Sequence, residues 1–127
     1  MKESKACHSL TVAVIAALIL CVPAARAETS ADRGMALYQA RCSACHSPDH
    51  NRAGPAHRGV FGRRAGGVPG YDYSLALEAS GLVWTRENLD RWLAGPERLV
   101  PGQKMGYSVS NAQDRSDLIA YLETLRP

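Results

Sequence analysis

The chain has 127 residues, 46% of them hydrophobic and 21% charged, with a formal charge of +3. That length suits one small domain and excludes two of ordinary size. So modest a charge excludes the basic footprint of a nucleic-acid-binding domain.

The chain opens with Lys2 and Lys5, followed by the apolar run "SLTVAVIAALILCVPA" and the small-residue end "ARA" at Ala27. A basic start, a short apolar core and such an end predict a secretory signal peptide over 1–27, leaving a domain over 28–127. From Leu10 to Val22 the run has 13 residues, short of the ~20 that span a bilayer. Leu20 also stands where lipidation at Cys21 would need a small residue. Removing 1–27 takes away Lys2, Lys5, Arg26 and Glu3 and leaves 12 basic against 11 acidic residues, a net charge of +1. Cys7 and Cys21 also leave, so the exported domain keeps only Cys42 and Cys45. A disulfide across so short a loop would stabilise almost nothing, which excludes the usual cross-linked framework of small exported domains.

The domain begins with "SADRGMALYQARC", which predicts a helix with Ser30 as N-cap, Asp32 in the first turn, and Gly34 and Tyr38 on one face. Met35 on this helix is expected in the core. "CSACH" follows, and then 47–70, so rich in glycine and proline that no regular element survives. A loop of this length in a compact domain is expected to wrap around something. "YSLALEASG" predicts a short helix opened by Ser74 and stopped at Gly81. "WTRENLDRWLAGP" predicts a clearer one, with Thr85 as N-cap, Leu89, Trp92 and Leu93 on one face, and Gly95-Pro96 as the stop. "ERLVPGQKMGYSVS" reads as irregular. The last helix lies in "NAQDRSDLIAYLETLRP", with the stripe Leu118, Ile119, Leu122 and Leu125. The fold class is therefore all-α, with short helices and long loops. The apolar residues of these helices are too few to build a core for so much loop, and a large apolar cofactor would supply the missing surface.

Cys42, Cys45 and His46 form C-x-x-C-H, the attachment signature of c-type haem. One helical turn sets the two sulfurs at the separation of the two vinyl groups, and the histidine falls beneath the iron as proximal ligand. A redox dithiol would need a βαβ setting, and zinc would need a second ligand pair; neither is present. Elimination selects the ligand on the other face of the ring. Met35 shares the helix that leads to the attachment site, and His50 is tethered on the side of His46. Met105, in "PGQKM", is distant in sequence and lies in a loop that a Pro-Gly turn can aim inward. The metal ligands are thus expected to be His46 and Met105.

At this point "GMALYQARCSACH", "GPAHRGVFGRRAG", "PGYDYS", "GLVW", "NLDRWLAGP", "PGQKM" and "RSDLIAYL", in that order, resemble the class I cytochromes c over Gly34 to Leu125. The resemblance implies one haem c, covalent through Cys42 and Cys45, and close crossing of the first and last helices at Gly34, Tyr38, Leu118 and Tyr121. It implies that the Pro55 carbonyl orients His46, and that Arg63, Tyr73 and Trp84 hold the propionates. For Trp84 an ordinary core role, with its N–H on a backbone carbonyl, stays open. Trp92 takes a place where the family often has tyrosine near the methionine sulfur. His57 departs from the family's usual leucine; it either turns to solvent or is a satisfied buried group. The haem edge carries Arg41, Arg98 and Lys104 but also Glu97, which argues against a strongly acidic docking partner.

The function implied is single-electron transfer by a soluble periplasmic protein, not an enzyme and without an open iron site, working as a monomer without membrane anchor. Its partners would be a dehydrogenase or quinol-oxidising complex and a terminal oxidase or reductase. The alternative is a dedicated cytochrome subunit of a periplasmic oxidoreductase, which near-neutral charge suits. A haem enzyme or gas sensor would need an open sixth position, against which Met105 argues.

Overall fold

The computed structural model describes residues 28–127; the expected signal segment over 1–27, with Cys7 and Cys21, lies outside the described residues. Five helices follow in chain order: α1 Ser30–Arg41, α2 Leu75–Ala79, α3 Arg86–Ala94, α4 Pro96–Leu99 and α5 Ala112–Thr124. Among the described residues there is no strand, only an isolated bridge between Arg64 and Val83. No helix among them is long and apolar enough to cross a membrane.

Helix α1 is capped one residue before the expected Ser30, at Thr29. Thr29, in extended conformation, accepts the Asp32 N–H on its hydroxyl at 3.2 Å, while Asp32 accepts the Thr29 N–H at 3.0 Å. This reciprocal box satisfies two N–H groups at once. Ser30 is the first helical residue, and its hydroxyl accepts from Arg33 at 3.2 Å. Met35 is also not in the core, being 42% exposed. Gly34 and Tyr38 face α5, and the next position along is turned about 100° away.

The α1–α5 crossing organises the molecule. A Cβ at Gly34 would sit 1.9 Å from the Asp117 carbonyl oxygen and 2.9 Å from Cβ of Tyr121, so only glycine permits this approach. The Tyr38 and Tyr121 rings pack at 5.2 Å between centroids. Arg33 donates two bonds to Asp117, at 2.8 and 2.9 Å, and Arg41 pairs with Asp114 at 2.8 Å. Leu118 and Ile119, on the expected stripe of α5, are almost wholly buried.

Helix α3 buries Leu89, Trp92 and Leu93 as its pattern requires, and ends at Gly95. The stretch after it is not wholly irregular, because α4 begins at once with Pro96. A proline that cannot continue one helix is well suited to open the next, since its missing N–H is not needed there. The long loop is stitched to the frame by backbone bonds: Gly62 and Arg63 exchange bonds with Trp84 at 2.9 Å, and Gly59 N–H donates to the Leu125 carbonyl at 2.6 Å.

Candidate haem site

The attachment segment is set by the end of α1. Cys42 caps the helix, and its carbonyl accepts the N–H groups of Cys45 and His46 at 3.0 and 2.8 Å. This extra turn brings both thiols and the imidazole to one wall. Neither cysteine is in a disulfide; Cys42 is half-buried and Cys45 exposed. Burial pushes the Cys42 thiol up to about 11.

His46 is buried, with Nδ1 2.9 Å from the Pro55 carbonyl oxygen. A carbonyl only accepts, so Nδ1 carries the proton and Nε2 keeps its lone pair. Burial lowers the His46 pKa from its usual range, against the opposing effect of the Pro55 bond. Gly54 is a further determinant that sequence reasoning missed. A Cβ there would lie 2.2 Å from Cε1 of His46, and the Gly54 N–H donates to the Cys45 carbonyl at 2.7 Å. The Gly-Pro pair beside the motif was the available signal.

Met105 reaches the same cavity from the loop after α4. The Trp92 indole N–H donates to its sulfur at 3.2 Å. The loop is held on several sides: the Gln103 side chain accepts from the Met105 N–H, Glu97 accepts from the Gly102 N–H at 3.0 Å, and Lys104 pairs with Asp72 at 2.7 Å. Gln103 also escaped the sequence reading, because an Oε1 that braces a neighbouring N–H leaves no pattern.

Arg63 donates to the carbonyls of Arg58 and Ala56 at 2.8 and 3.0 Å, yet its buried Nε has no protein partner. Burial lowers the pKa of this guanidinium. The Tyr73 hydroxyl accepts from the Val68 N–H at 3.3 Å, which leaves its own proton to give. Trp84 is buried, packs edge-on to Trp92 at 5.2 Å, and donates to no backbone carbonyl among the described residues. His57 is a satisfied, half-buried group rather than a solvent-facing one. Its Nδ1 lies 3.1 Å from the Tyr38 hydroxyl and its ring stacks on that of His46.

All of Cys42, Cys45, His46, Pro55, Arg63, Tyr73, Trp84, Trp92 and Met105 line one mainly apolar cavity of about 520 Å³, the size of a cofactor pocket. The contents required are specific. Two free thiols and an imidazole stand on the wall, a thioether enters from a separate loop, and an orphaned buried guanidinium N–H calls for an acid. A haem, apolar in its ring and acidic in its propionates, fits that set. The fold and site define a c-type haem protein.

Comparison with known proteins narrows the class. Residues 31–126 match the family model described as "Cytochrome c". The chain is 43% identical over 99 residues to cytochrome c of Euglena viridis, covering 76% of this chain and 97% of that protein. It is 45% identical over 96 residues to cytochrome c2 of Rhodopila globiformis, covering 73% and 91%. Among solved structures, cytochrome cH from Methylobacterium extorquens matches with a TM-score of 0.71 at 44% identity, over 74% of this chain and 97% of that one. Ferricytochrome c2 from Rhodopseudomonas palustris matches with a TM-score of 0.71 at 38% identity, over 75% and 97%. The chain belongs to the cytochrome c family, in its class I, monohaem branch. Its cofactor is haem c, held covalently through a cysteine pair, and its function is electron transfer.

Proposed function

We propose that residues 1–27 export the chain and that residues 28–127 work in the periplasm as a soluble carrier of single electrons, with His46 and Met105 as the residues that would bind the haem iron. The haem supplies an iron centre that gains and loses one electron, at a potential that His/Met ligation raises. In this reading Cys42 and Cys45 fix the ring covalently and Pro55 holds the His46 ring with Nε2 inward. Trp92 steers the Met105 sulfur, while Arg63, Tyr73 and Trp84 take the propionates. The observation that carries the reading is that His46 and Met105 line one cavity and each is already braced by a hydrogen bond, at 2.9 and 3.2 Å. Pre-set ligands need little rearrangement when the iron changes charge, which suits electron transfer and leaves no open position for a substrate.

The partners in this reading are a dehydrogenase or quinol-oxidising complex on one side and a terminal oxidase or reductase on the other. Around the cavity mouth Arg41 and Lys104 are paired with Asp114 and Asp72 at 2.8 and 2.7 Å. Such internal neutralisation favours a partner that is not strongly acidic. It also supports a second reading, a dedicated cytochrome subunit bound to one periplasmic oxidoreductase; co-purification from native extract separates the two.

The test is the far-red absorption of the ferric domain, expressed with periplasmic haem maturation. A weak sulfur-to-iron band, lost in Met105→Ala, supports His/Met ligation. A high-spin spectrum in the unaltered protein overturns it.

A further inference from the structure

Among the rings on the cavity wall, that of His57 lies directly against the His46 imidazole and has no role as a ligand or propionate partner. The His57 ring lies face to face with that of His46, with centroids 4.1 Å apart and planes 19° from parallel. Its Nδ1 is tied to the Tyr38 hydroxyl at 3.1 Å. Tyr38 is in turn locked in the α1–α5 seam, 3% exposed and packed on Tyr121. The backbone of His57 is fixed as well, since its N–H donates to the carbonyl of Ser47, the residue after His46, at 3.0 Å.

One hydrogen bond to Pro55 holds the direction of the His46 Nδ1–H but leaves the ring free to rock about that bond. A ring stacked on its face removes this freedom. We propose that His57 is a positioning residue for His46, anchored by Tyr38: it fixes the plane of the His46 imidazole and lays a polar ring against it. The proposal rests on the reading of His46 as an iron ligand. Its consequence is electronic as well as geometric. Oxidation adds a positive charge at the iron, and a polar ring with an electron-rich face stabilises that charge better than an alkyl side chain does. His57 therefore holds the midpoint potential below the value that an apolar residue would give.

The experiment is spectroelectrochemical titration of the holoprotein at one fixed pH, for the unaltered protein, His57→Leu, Tyr38→Phe and the double variant. The haem-methyl resonances of each ferric form, which report the plane of the axial imidazole, are recorded alongside. His57→Leu keeps a side chain of comparable bulk, and Tyr38→Phe keeps its ring in the seam. The expected result is a higher potential and altered methyl shifts in His57→Leu, a smaller change of the same sign in Tyr38→Phe, and a double variant equal to His57→Leu alone. That non-additivity is the mark of two residues acting through one path. An unchanged potential and unchanged methyl shifts in His57→Leu, with the far-red band intact, overturn the proposal while sparing the ligand assignment. Additive shifts overturn the Tyr38 anchor. A high-spin spectrum in the unaltered protein overturns both the proposal and the ligand assignment.

Discussion

Gly34→Ala tests the helix crossing on which the whole site hangs. In an isolated helix the change would stabilise by about 1 kcal/mol, because alanine is the better helix former. Here the new methyl carbon would meet the Asp117 carbonyl oxygen at 1.9 Å, against 3.4 Å or more in ordinary contact. The two helices would have to part by about 1.5 Å, and a close-packed seam does not yield that distance without losing contacts along its length. Overpacking of this kind costs about 1–3 kcal/mol and sometimes more. A 1.9 Å approach to rigid backbone puts the cost at the upper end of that range, about 3 kcal/mol; less the propensity gain of about 1 kcal/mol, a net loss of about 2 kcal/mol is expected, or roughly 10 °C in Tm for a domain of this size. Ala36 lies on the exposed side of α1, so Ala36→Gly calibrates the propensity effect alone, at about 1 kcal/mol of destabilisation. The assay is thermal and denaturant unfolding of the holoproteins. The reasoning predicts that both substitutions destabilise, although they run in opposite chemical directions. An unchanged or raised Tm in Gly34→Ala would refute the crossing.

Trp92→Phe removes the N–H that donates to the Met105 sulfur at 3.2 Å. Freed of it, the sulfur is a better donor to ferric iron, so the midpoint potential should fall while the far-red band persists. Asp117, held below the usual carboxylate range chiefly by its hydrogen bond from Arg33, stabilises the fold at pH values above its unfolded pKa of about 3.9. That stabilisation is lost as pH falls through this value toward the folded one, so Asp117→Asn should be less stable at neutral pH and show a flatter acid limb in Tm against pH. Thr29→Ala should cost about 1 kcal/mol by removing the α1 cap, and Ser30→Ala distinctly less, as read from denaturant midpoints.

What was legible in the sequence was whatever depends on near neighbours. The cysteine pair, the histidine beside it, the caps Ser74 and Thr85 and the faces of α3 and α5 each announce themselves within a turn or two of chain. Even there a choice between adjacent cap residues failed, because Thr29 and Ser30 offer the same hydroxyl and only the reach of Asp32 decides. Met35 was misplaced for a related reason. Its apolar side chain argued for the core, but the direction of burial is set by Gly34 against Asp117, a contact 83 residues distant in sequence. Gly54 was signalled only by the Gly-Pro pair beside the motif, and Gln103 and the role of His57 left no pattern at all. Gly54 and His57 act on the His46 ring, which the fold brings against them, while Gln103 braces an N–H only two residues on; none belongs to a residue type that demands such a contact.

The shortage of apolar residues in the sequence has its resolution in the double use of those present. Tyr38, Leu77, Trp84, Leu89, Trp92 and Leu118 belong to the buried core and also line the cavity. The haem is therefore the other half of the core, not a guest inside a finished one. Filling some 520 Å³, at ~24 cal/mol per Å³, is worth on the order of 12 kcal/mol as an upper bound for a dry cavity. The mouth is open to solvent, which reduces the figure, yet even half of it is comparable with the whole net stability of a small domain, about 5–15 kcal/mol. A chain that gains this much from its cofactor can leave its longest loop without regular structure, since the loop packs against a rigid ring. The covalent bond through the cysteine pair then has a structural meaning beside its redox one, because it keeps half of the core from dissociating.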